Sequence, residues 1–382
     1  MAQVSDLERQ ADQAAAAGDL QAARHSLEQA VAGGSGSMDT WTKLSAIRRA
    51  LGDLQGALAA IERALALSPL DFSALLARAM LLERLGDSRA GEAFSNAVAR
   101  LPDDRQVPPA MAGAVAQAKK RAAEHHASIE QRLTDAIPAG LSEVHRRRLE
   151  RFASNTSRRT RHFHQEPTNF HFPGLPEIEF HDPAKFSGIA ELEAATDAIR
   201  AEYEALVKLK TAELVPYTQY PDHVPLAQWR ELNNNRDWTA IHLIQNGRWV
   251  EANAADCPVT MDMLSKLPQP QISGAAPNAM FSLLAPNTHI PPHTGVANVR
   301  LVAHLPLIVP PGCGFRVGDS KREWRVGEVF VFDDTIEHEA WNDSDELRVV
   351  LIFDLWATAL DQVERDAVAA LIGAAGVSFK GA

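Results

Sequence analysis

The chain has 382 residues, with 49 acidic against 38 basic side chains and a formal net charge of -11. This length allows two or three domains with sizeable cores, and the acidic balance argues against a nucleic-acid partner. Cys257 and Cys313 are the only cysteines, too few for a disulfide framework. The chain opens with no signal-peptide pattern, and no apolar run reaches the ~18 residues that span a bilayer. We therefore expect a cytoplasmic protein with no membrane partner.

A Gly-Asp pair recurs every 34 residues in the first hundred, at positions 18, 52 and 86, between Ala/Leu-rich helical patterns. Around the second copy, Trp41, Leu44, Ala57, Ile61 and Ala64 stand where tetratricopeptide repeats place packing residues, and this part resembles such repeats. Residues 1–130 are therefore predicted to form a stacked helical repeat domain, with a capping helix near 110–127. The array either binds a peptide or partner in its concave groove or serves as a packing or dimerising appendage.

Residues 131–170 are predicted to form a basic linker. Arginines cluster at 146–148 and at 158, 159 and 161. They could form an anion-binding patch or a solvated face, and a solvated face is the usual role of a charge run. His162, His164 and His171 suggest a metal site, and the first two would share a strand face. Prolines interrupt the segment, however, and no acidic or cysteine partner stands at ligand spacing. Surface or core histidines are therefore the favoured interpretation.

Residues 171–382 are predicted to form an antiparallel double-stranded β-helix, or jelly roll, with a C-terminal helix at 360–374. Alternating or continuous apolar runs predict strands at 238–244, 280–284, 299–309, 314–317 and 329–332, and amphipathic spacing predicts a helix at 191–210. The stretch 217–235 is expected to be a long loop. The overall fold class is α+β and multidomain.

Two short motifs carry the chemistry of this domain. They are Asn287-Thr-His-Ile-Pro-Pro-His293-Thr-Gly295 and Phe332-Asp-Asp-Thr-Ile-Glu-His338-Glu-Ala-Trp-Asn342, and each places a histidine in a loop or strand end. Strands of a jelly roll fold back so that His293 and His338 can meet at one mouth, and two neutral imidazoles in a polar pocket would suit a transition metal. The common iron motif has a carboxylate two residues after the first histidine, but Gly295 stands there. The metal would therefore rest on two histidines, with water in the vacant position.

Arg348 is a second kind of candidate because it begins the apolar run Val349–Phe353. A buried guanidinium is costly without an anion, so the pattern favours binding of a ligand carboxylate over an internal ion pair.

These residues, together with their neighbours, resemble the aspartyl/asparaginyl β-hydroxylase family over roughly residues 170–357. The resemblance rests on Phe172-Pro-Gly-Leu-Pro176, Asn246-Gly247, Cys257-Pro258, Phe281-Ser282, Thr288–Gly295, Asn298-Val-Arg300, His304-Leu305, Gly312-Cys-Gly314, Trp324, Gly327, Phe332-Asp-Asp334, Glu337-His-Glu339, Trp341-Asn342 and Arg348. It implies a jelly-roll oxygenase that uses Fe(II), 2-oxoglutarate and O2 to hydroxylate the β-carbon of an Asp or Asn residue, with release of succinate and CO2. Repeats before such a domain favour a peptide or protein substrate.

The resemblance also implies roles for individual residues. His293 and His338 would bind the metal, and Asp334 would orient a bound water or an imidazole from the outer shell. Ser282 and His304 would contact the 2-oxoglutarate that Arg348 anchors.

One position departs from many relatives, which have an arginine where this chain has Val302. That difference puts strict aspartyl specificity in doubt. Arg300, Arg248 and Trp238 are the candidate substrate contacts, with Trp238 more typical of a packing residue. Two alternatives to hydroxylation stay open: a halogenase-type variant, since a two-histidine iron has an open position, and a non-catalytic repeat scaffold whose jelly roll senses 2-oxoglutarate or metal.

Overall fold

A computed structural model describes residues 2–32, 36–102, 108–208, 214–221, 223 and 229–376. The chain divides into two compact units, Met1–Arg161 and His162–Ala382. The division therefore falls inside the stretch 131–170 that the sequence predicts as a linker. Among the described helices, none is both long enough and apolar enough to cross a membrane.

The first unit is a series of antiparallel helical hairpins, and the predicted helical repeat array is confirmed. Its helices are α1 (Ala2–Ala16), α2 (Leu20–Ala32), α3 (Met38–Ala50), α4 (Leu54–Leu67), α5 (Phe72–Arg84), α6 (Ala90–Val98), α7 (Ala112–Asp135) and α8 (Glu143–Thr156). Gly52 ends one helix in the left-handed region at φ +84°, and Asp53 caps the next by accepting from the Gly56 N–H at 2.8 Å. Buried Ala57, Ile61 and Phe94 belong to one continuous core.

The predicted capping helix and the basic cluster both lie in this unit. Helix α7 packs on α6 through buried Val115, Ala118 and Ala122. Helix α8 follows it, and Arg159 binds Glu130 of α7 at 2.6 Å. Part of the arginine cluster is therefore neutralised within the unit.

The second unit is a sandwich of two antiparallel sheets with helices on one outer face. Its strands are β1 (Phe180–His181), β2 (Val215–Pro216), β3 (Trp238–Gln245), β4 (Arg248–Trp249), β5 (Ala279–Leu284), β6 (Thr288–His293), β7 (Arg300–Ile308), β8 (Cys313–Val317), β9 (Ser320–Arg322), β10 (Phe330–Phe332), β11 (His338–Asn342) and β12 (Arg348–Trp356). The large sheet runs β1-β10-β7-β12-β5-β3-β2 with β4 beside β3, and the small sheet runs β6-β11-β8-β9. This arrangement confirms the predicted α+β class and the jelly roll.

The helices of this unit are α9 (Ile189–Ala194), α10 (Thr196–Lys208), α11 (Glu251–Ala254), α12 (Pro258–Ser265) and α13 (Gln362–Ala375). The predicted helix at 191–210 is thus two helices that meet at Ala195, and its last two residues lie outside the described ones. Residues 222 and 224–228 of the loop predicted at 217–235 also lie outside them. Asp361 caps α13 by accepting from the Glu364 N–H at 2.9 Å.

Strand β12 is buried along its whole length because it is covered on both faces. Val349, Leu351 and Phe353 belong to the core that the large sheet shares with the helices, whereas Val350 and Ile352 belong to the core between the two sheets. Successive side chains of a strand point to opposite faces. The even-numbered positions from Arg348 to Asp354 therefore face the inside of the sandwich, whereas the last residue, Trp356, belongs to the core shared with the helices.

Candidate active site

A cavity of about 430 Å³ lies between the two sheets. Strand alternation supplies its walls: Ser282 from β5, Arg300, Val302 and His304 from β7, Arg348 and Asp354 from β12, and His293 and His338 from the small sheet all line it. Residues on the opposite face of the same strands, such as Phe281 and Leu351, pack against the helices instead. The polar residues of β5, β7 and β12 therefore converge because they occupy alternate positions that face the same side of the large sheet.

The two histidines are direct partners across the pairing of β6 with β11, where His338 lies opposite His293. Their ring centroids are 4.0 Å apart. His293 Nδ1 lies 2.7 Å from the Pro291 carbonyl oxygen, and His338 Nδ1 lies 3.1 Å from that of Ile336. Since a carbonyl only accepts, each Nδ1 carries the proton and each Nε2 keeps its lone pair for a metal.

Both rings are held in the neutral form that a metal requires. Burial lowers the pKa of His293 to about 4, and the hydrogen bond to Pro291 opposes this only in part. Burial lowers the pKa of His338 well below its usual range, and neighbouring His293 acts in the same direction.

The Asp334 carboxyl group fills the space that a side chain at position 295 would need. The Gly295 N–H donates to the Asp334 backbone carbonyl at 2.7 Å, and a Cβ at Gly295 would lie 2.0 Å from Asp334 Oδ2. The position two residues after His293 therefore has no room for a carboxylate side chain, because the Asp334 carboxyl group already lies there. The Asp334 Oδ1 atom is buried without a hydrogen-bond partner. Burial raises the pKa of Asp334 to about 7, against the lowering effect of Arg300.

Arg300 is engaged by two buried carboxylates. Its Nη2 lies 3.0 Å from Asp334 Oδ2, and its Nη1 lies 3.2 Å from Asp354 Oδ1. Asp354 is fixed in turn, because its Oδ2 accepts from the Asn278 backbone N–H at 2.7 Å and from the Asn278 amide at 3.0 Å. Arg300 thus reaches the cavity, as predicted for a substrate contact, but its charge is already matched inside the protein.

Arg348 has a different environment. Its side chain is 1% exposed, its Nε lacks a hydrogen-bond partner, and its Nη1 lies 3.4 Å from the Ser282 carbonyl oxygen and 3.5 Å from Ser282 Oγ. No carboxylate among the described residues lies within salt-bridge distance of it. Its guanidinium faces the Trp324 ring at 5.0 Å. Burial lowers the pKa of Arg348 to about 10, because no neighbouring carboxylate among the described residues offsets its desolvation.

Ser282 and His304 lie beside this guanidinium, as the resemblance implies. The Trp238 indole N–H donates to Ser282 Oγ at 3.1 Å, and the Trp324 N–H donates to His304 Nδ1 at 3.4 Å. Burial, followed by the charge of Arg348, lowers the pKa of His304 well below its usual range. His304 is therefore neutral.

Most candidate residues come together, but one does not. His293, His338, Asp334, Ser282, His304, Arg348, Arg300 and Trp238 all line the cavity. Arg248 lies in exposed strand β4 and is not among the lining residues.

Sequence reasoning missed several residues of the site. Asp354 was not considered, although it shares strand parity with Arg348. Tyr217, which stacks on Trp238 with ring centroids 3.8 Å apart, and Trp229, 4.7 Å from the His293 ring, lie in or beside the stretch predicted as a loop. Their aromatic character was the only sequence signal.

A double-stranded β-helix whose cavity brings two buried histidines together is a jelly-roll domain with a candidate metal site. The predicted resemblance is confirmed: residues 193–358 match the family model described as aspartyl/asparaginyl beta-hydroxylase.

Individual relatives cover different parts of the chain. The human aspartyl/asparaginyl beta-hydroxylase is 34% identical over 148 residues, 38% of this chain and 19% of that protein. The ornithine lipid ester-linked acyl 2-hydroxylase of Rhizobium tropici is 34% identical over 192 residues, 50% of this chain and 64% of that protein. A solved tetratricopeptide repeat protein from Parabacteroides merdae aligns at 21% identity with a TM-score of 0.29, over 41% of this chain and 61% of its own. The chain spans less than two thirds of each of these proteins.

Proposed function

We propose that the second unit is an Fe(II)- and 2-oxoglutarate-dependent dioxygenase that hydroxylates the β-carbon of an Asp or Asn residue in a peptide or protein, or of a related amino-acid substrate. The observation that carries this proposal is the buried Arg348 guanidinium, which lines the same cavity as the histidine pair and lacks a carboxylate partner among the described residues. Burying an unpaired charge costs several kcal/mol. A dicarboxylate ligand of the metal would match that charge.

The donor set fits the metal and the keto acid. His293 and His338 offer two Nε2 lone pairs, which suit Fe(II), and Arg348 with Ser282 would bind the distal carboxylate of 2-oxoglutarate. When bound, the metal and keto acid supply the activation of O2, which no side chain provides. Arg300 holds Asp334 Oδ2 at 3.0 Å, and Asp334 Oδ1 has no hydrogen-bond partner. This oxygen would accept a hydrogen bond from a water bound to the metal, on the side where Gly295 provides no carboxylate ligand.

The surrounding side chains keep the reacting groups oriented and dry. The Trp238 N–H fixes the Ser282 hydroxyl at 3.1 Å, and Tyr217 stacks on the Trp238 ring. Trp229 packs edge-on against His293. These aromatic rings limit the access of water to the metal position, and a drier site strengthens the ion pairs within it.

The charges of the cavity favour an uncharged group on the substrate, such as the carboxamide of Asn. Arg300 is matched by Asp334 and Asp354, and Val302 stands where many relatives have an arginine. Apart from the charged residues, the histidines and Ser282, the lining residues are amides, aromatic rings and apolar groups. An aspartyl carboxylate would therefore enter without a free cation to bind it. One relative is named as an acyl hydroxylase of a lipid, which is also an uncharged site of oxidation.

The helical repeats of the first unit are proposed to hold the peptide or protein that carries the substrate residue. Their support is the continuous stack of hairpins from α1 to α7, since such stacks present extended concave surfaces.

An anaerobic titration tests the metal and keto-acid parts of the proposal. Addition of Fe(II) and 2-oxoglutarate should produce a weak visible charge-transfer band, and His338→Ala should abolish it. His289→Ala is the matched control, because His289 lies on the same strand as His293 but is 55% exposed and binds Glu339 at 2.9 Å. An intact band in the His338 variant would remove this residue from the ligand set.

Turnover separates the proposed hydroxylase from its alternatives. Candidate Asn and Asp peptides, or a cell lysate, are incubated with the iron-loaded protein and analysed by mass spectrometry. A hydroxylase yields succinate and product heavier by one oxygen atom. A chlorinated product would identify the halogenase-type variant, and a charge-transfer band with no succinate above the uncoupled background would identify a sensor.

A further inference from the structure

A second cluster of metal-binding side chains lies outside the cavity, at the start of the second unit. It contains His162, His164 and Glu177, all exposed, and one ligand atom from each lies within 4.8 Å of the others. His162 Nδ1 and His164 Nε2 are 3.0 Å apart, and His164 Nδ1 is 3.2 Å from Glu177 Oε2. Sequence spacing offered no acidic partner for these histidines, whereas the fold brings Glu177 to them from 13 residues beyond His164.

The geometry points to a Zn²⁺ site built from these three side chains, with water as the fourth ligand. Two neutral imidazoles and a carboxylate form a common set of three protein ligands for zinc. Ligand atoms about 2.0–2.1 Å from tetrahedral zinc lie about 3.3 Å from one another. The present ligand atoms lie within 4.8 Å of one another, but His164 contacts its two partners through different ring nitrogens. The exposed His164 ring must therefore turn and the three side chains must close on the metal, which displaces nothing buried.

The Glu177 side chain is already held in place. Its Oε1 accepts from the Gln165 backbone N–H at 3.0 Å, which leaves Oε2 available for the metal. Preorganisation of this kind reduces the entropy lost when a metal orders its ligands.

The same short segment is bonded to the loop that carries Asp334. The Glu166 N–H donates to the Thr335 carbonyl at 2.8 Å. The Gln165 amide donates to the Asp333 carboxylate, and Gln165 Oε1 accepts from the Asn298 amide at 3.0 Å. A metal that joins His162 and His164 to Glu177 would therefore stiffen the attachment of this segment to the 333–335 loop. We infer a structural zinc that supports the active-site loop from outside.

Titration of the metal-free full chain with Zn²⁺ against a chromophoric chelator tests this inference. The double variant His162→Ala/His164→Ala should bind one equivalent less than the wild type. His171→Ala is the matched control, since it removes another exposed histidine of the same segment and should bind as the wild type does. Glu177→Gln should weaken the affected equivalent at least about tenfold, because it removes an anionic ligand.

The comparison does not depend on the iron proposal, because it uses the difference between variants rather than the total number of zinc ions bound. Hydrogen exchange supplies a second readout: Zn²⁺ should slow exchange of the Glu166 amide about tenfold in the wild type and not in the double variant. Equal zinc stoichiometry in the wild type and the double variant would overturn the inference. Loss of one equivalent in the His171 variant as well would show non-specific histidine binding and overturn it equally.

Discussion

Replacement of Arg348 by Met should make the ligand-free protein more stable while it removes the response to 2-oxoglutarate. The pKa of Arg348 falls from 12.5 to about 10 through burial, and at about 1.4 kcal/mol per unit this shift corresponds to about 3 kcal/mol of uncompensated charge. Met keeps most of the volume, but loses the contact with Trp324, worth about 1 kcal/mol. We expect a net gain in the free energy of unfolding of about 1–2 kcal/mol.

Urea unfolding followed by tryptophan fluorescence measures this change, because six of the seven tryptophans lie in the second unit. A ligand at one hundred times its dissociation constant stabilises the folded state by about 2.7 kcal/mol. With the divalent metal already present in both samples, addition of 2-oxoglutarate should therefore stabilise the wild type by this order and leave Arg348→Met unchanged.

Arg300→Met is the matched control, since it removes an equally buried arginine from the same cavity. Arg300 is paired with Asp334 and Asp354, so its loss leaves two buried carboxylates without their cation and should cost about 3–5 kcal/mol. The reasoning fails if Arg348→Met is less stable than the wild type without ligand, or if 2-oxoglutarate still stabilises it.

Three further predictions follow from the neighbouring residues. Because burial raises the pKa of Asp334 from 3.8 to about 7, its contribution to stability is full below about pH 4 and is lost as the pH rises through 7. Asp334→Asn should remove this fall in the free energy of unfolding between pH 4 and 7, measured by urea unfolding with chelator present. Free energies of unfolding that change with pH equally in the wild type and the variant would contradict the assignment. Gly295→Ala should destabilise the fold by about 1–3 kcal/mol through contact with the Asp334 carboxylate, and a double-mutant cycle with Asp334→Ala should relieve this cost, whereas additive free energies would argue against the contact. Val302→Arg should raise the rate with an Asp peptide relative to its Asn counterpart, and an unchanged ratio in competition assays would show that this position does not read substrate charge.

The metal and keto-acid candidates were predictable because strand alternation and short motifs are local. Strand β12 is buried on both faces, and successive side chains of a strand point in opposite directions. The Arg348 side chain therefore points to the same face as Val350 and away from the face of Val349. The pairing of His293 with His338 requires only that β6 and β11 be neighbours. Sequence patterns predicted neither stretch as a strand, and in β6 Pro291 and Pro292 interrupt the pattern. The structure accommodates the prolines because β6 is an edge strand of the small sheet.

The partners of Arg300 were not predictable, because they depend on long-range register. Val302 lies opposite Asp354 in the pairing of β7 with β12, so the Asp354 carboxylate is brought close to the Arg300 guanidinium. A shift of register by one residue would turn Asp354 to the helix-covered face. Glu177 was also not predictable as a partner of His162 and His164, because the fold of the chain brings it to them and local spacing does not reveal this.

The charge balance of the cavity depends both on Arg348, which local patterns predict, and on the partners of Arg300, which depend on long-range register. Arg300 and Arg348 carry two positive charges, and Asp334 and Asp354 carry two negative charges when ionised, so the set is neutral before any ligand binds. A divalent metal and a dicarboxylate add charges that cancel, and Arg348 then gains the partner that it lacks. An aspartyl substrate would leave one buried negative charge in excess, whereas an asparaginyl or other uncharged substrate keeps the site neutral. Since an uncompensated buried charge costs several kcal/mol, substrate charge should discriminate more strongly here than substrate size, which changes affinity by only about 1–3 kcal/mol per methylene.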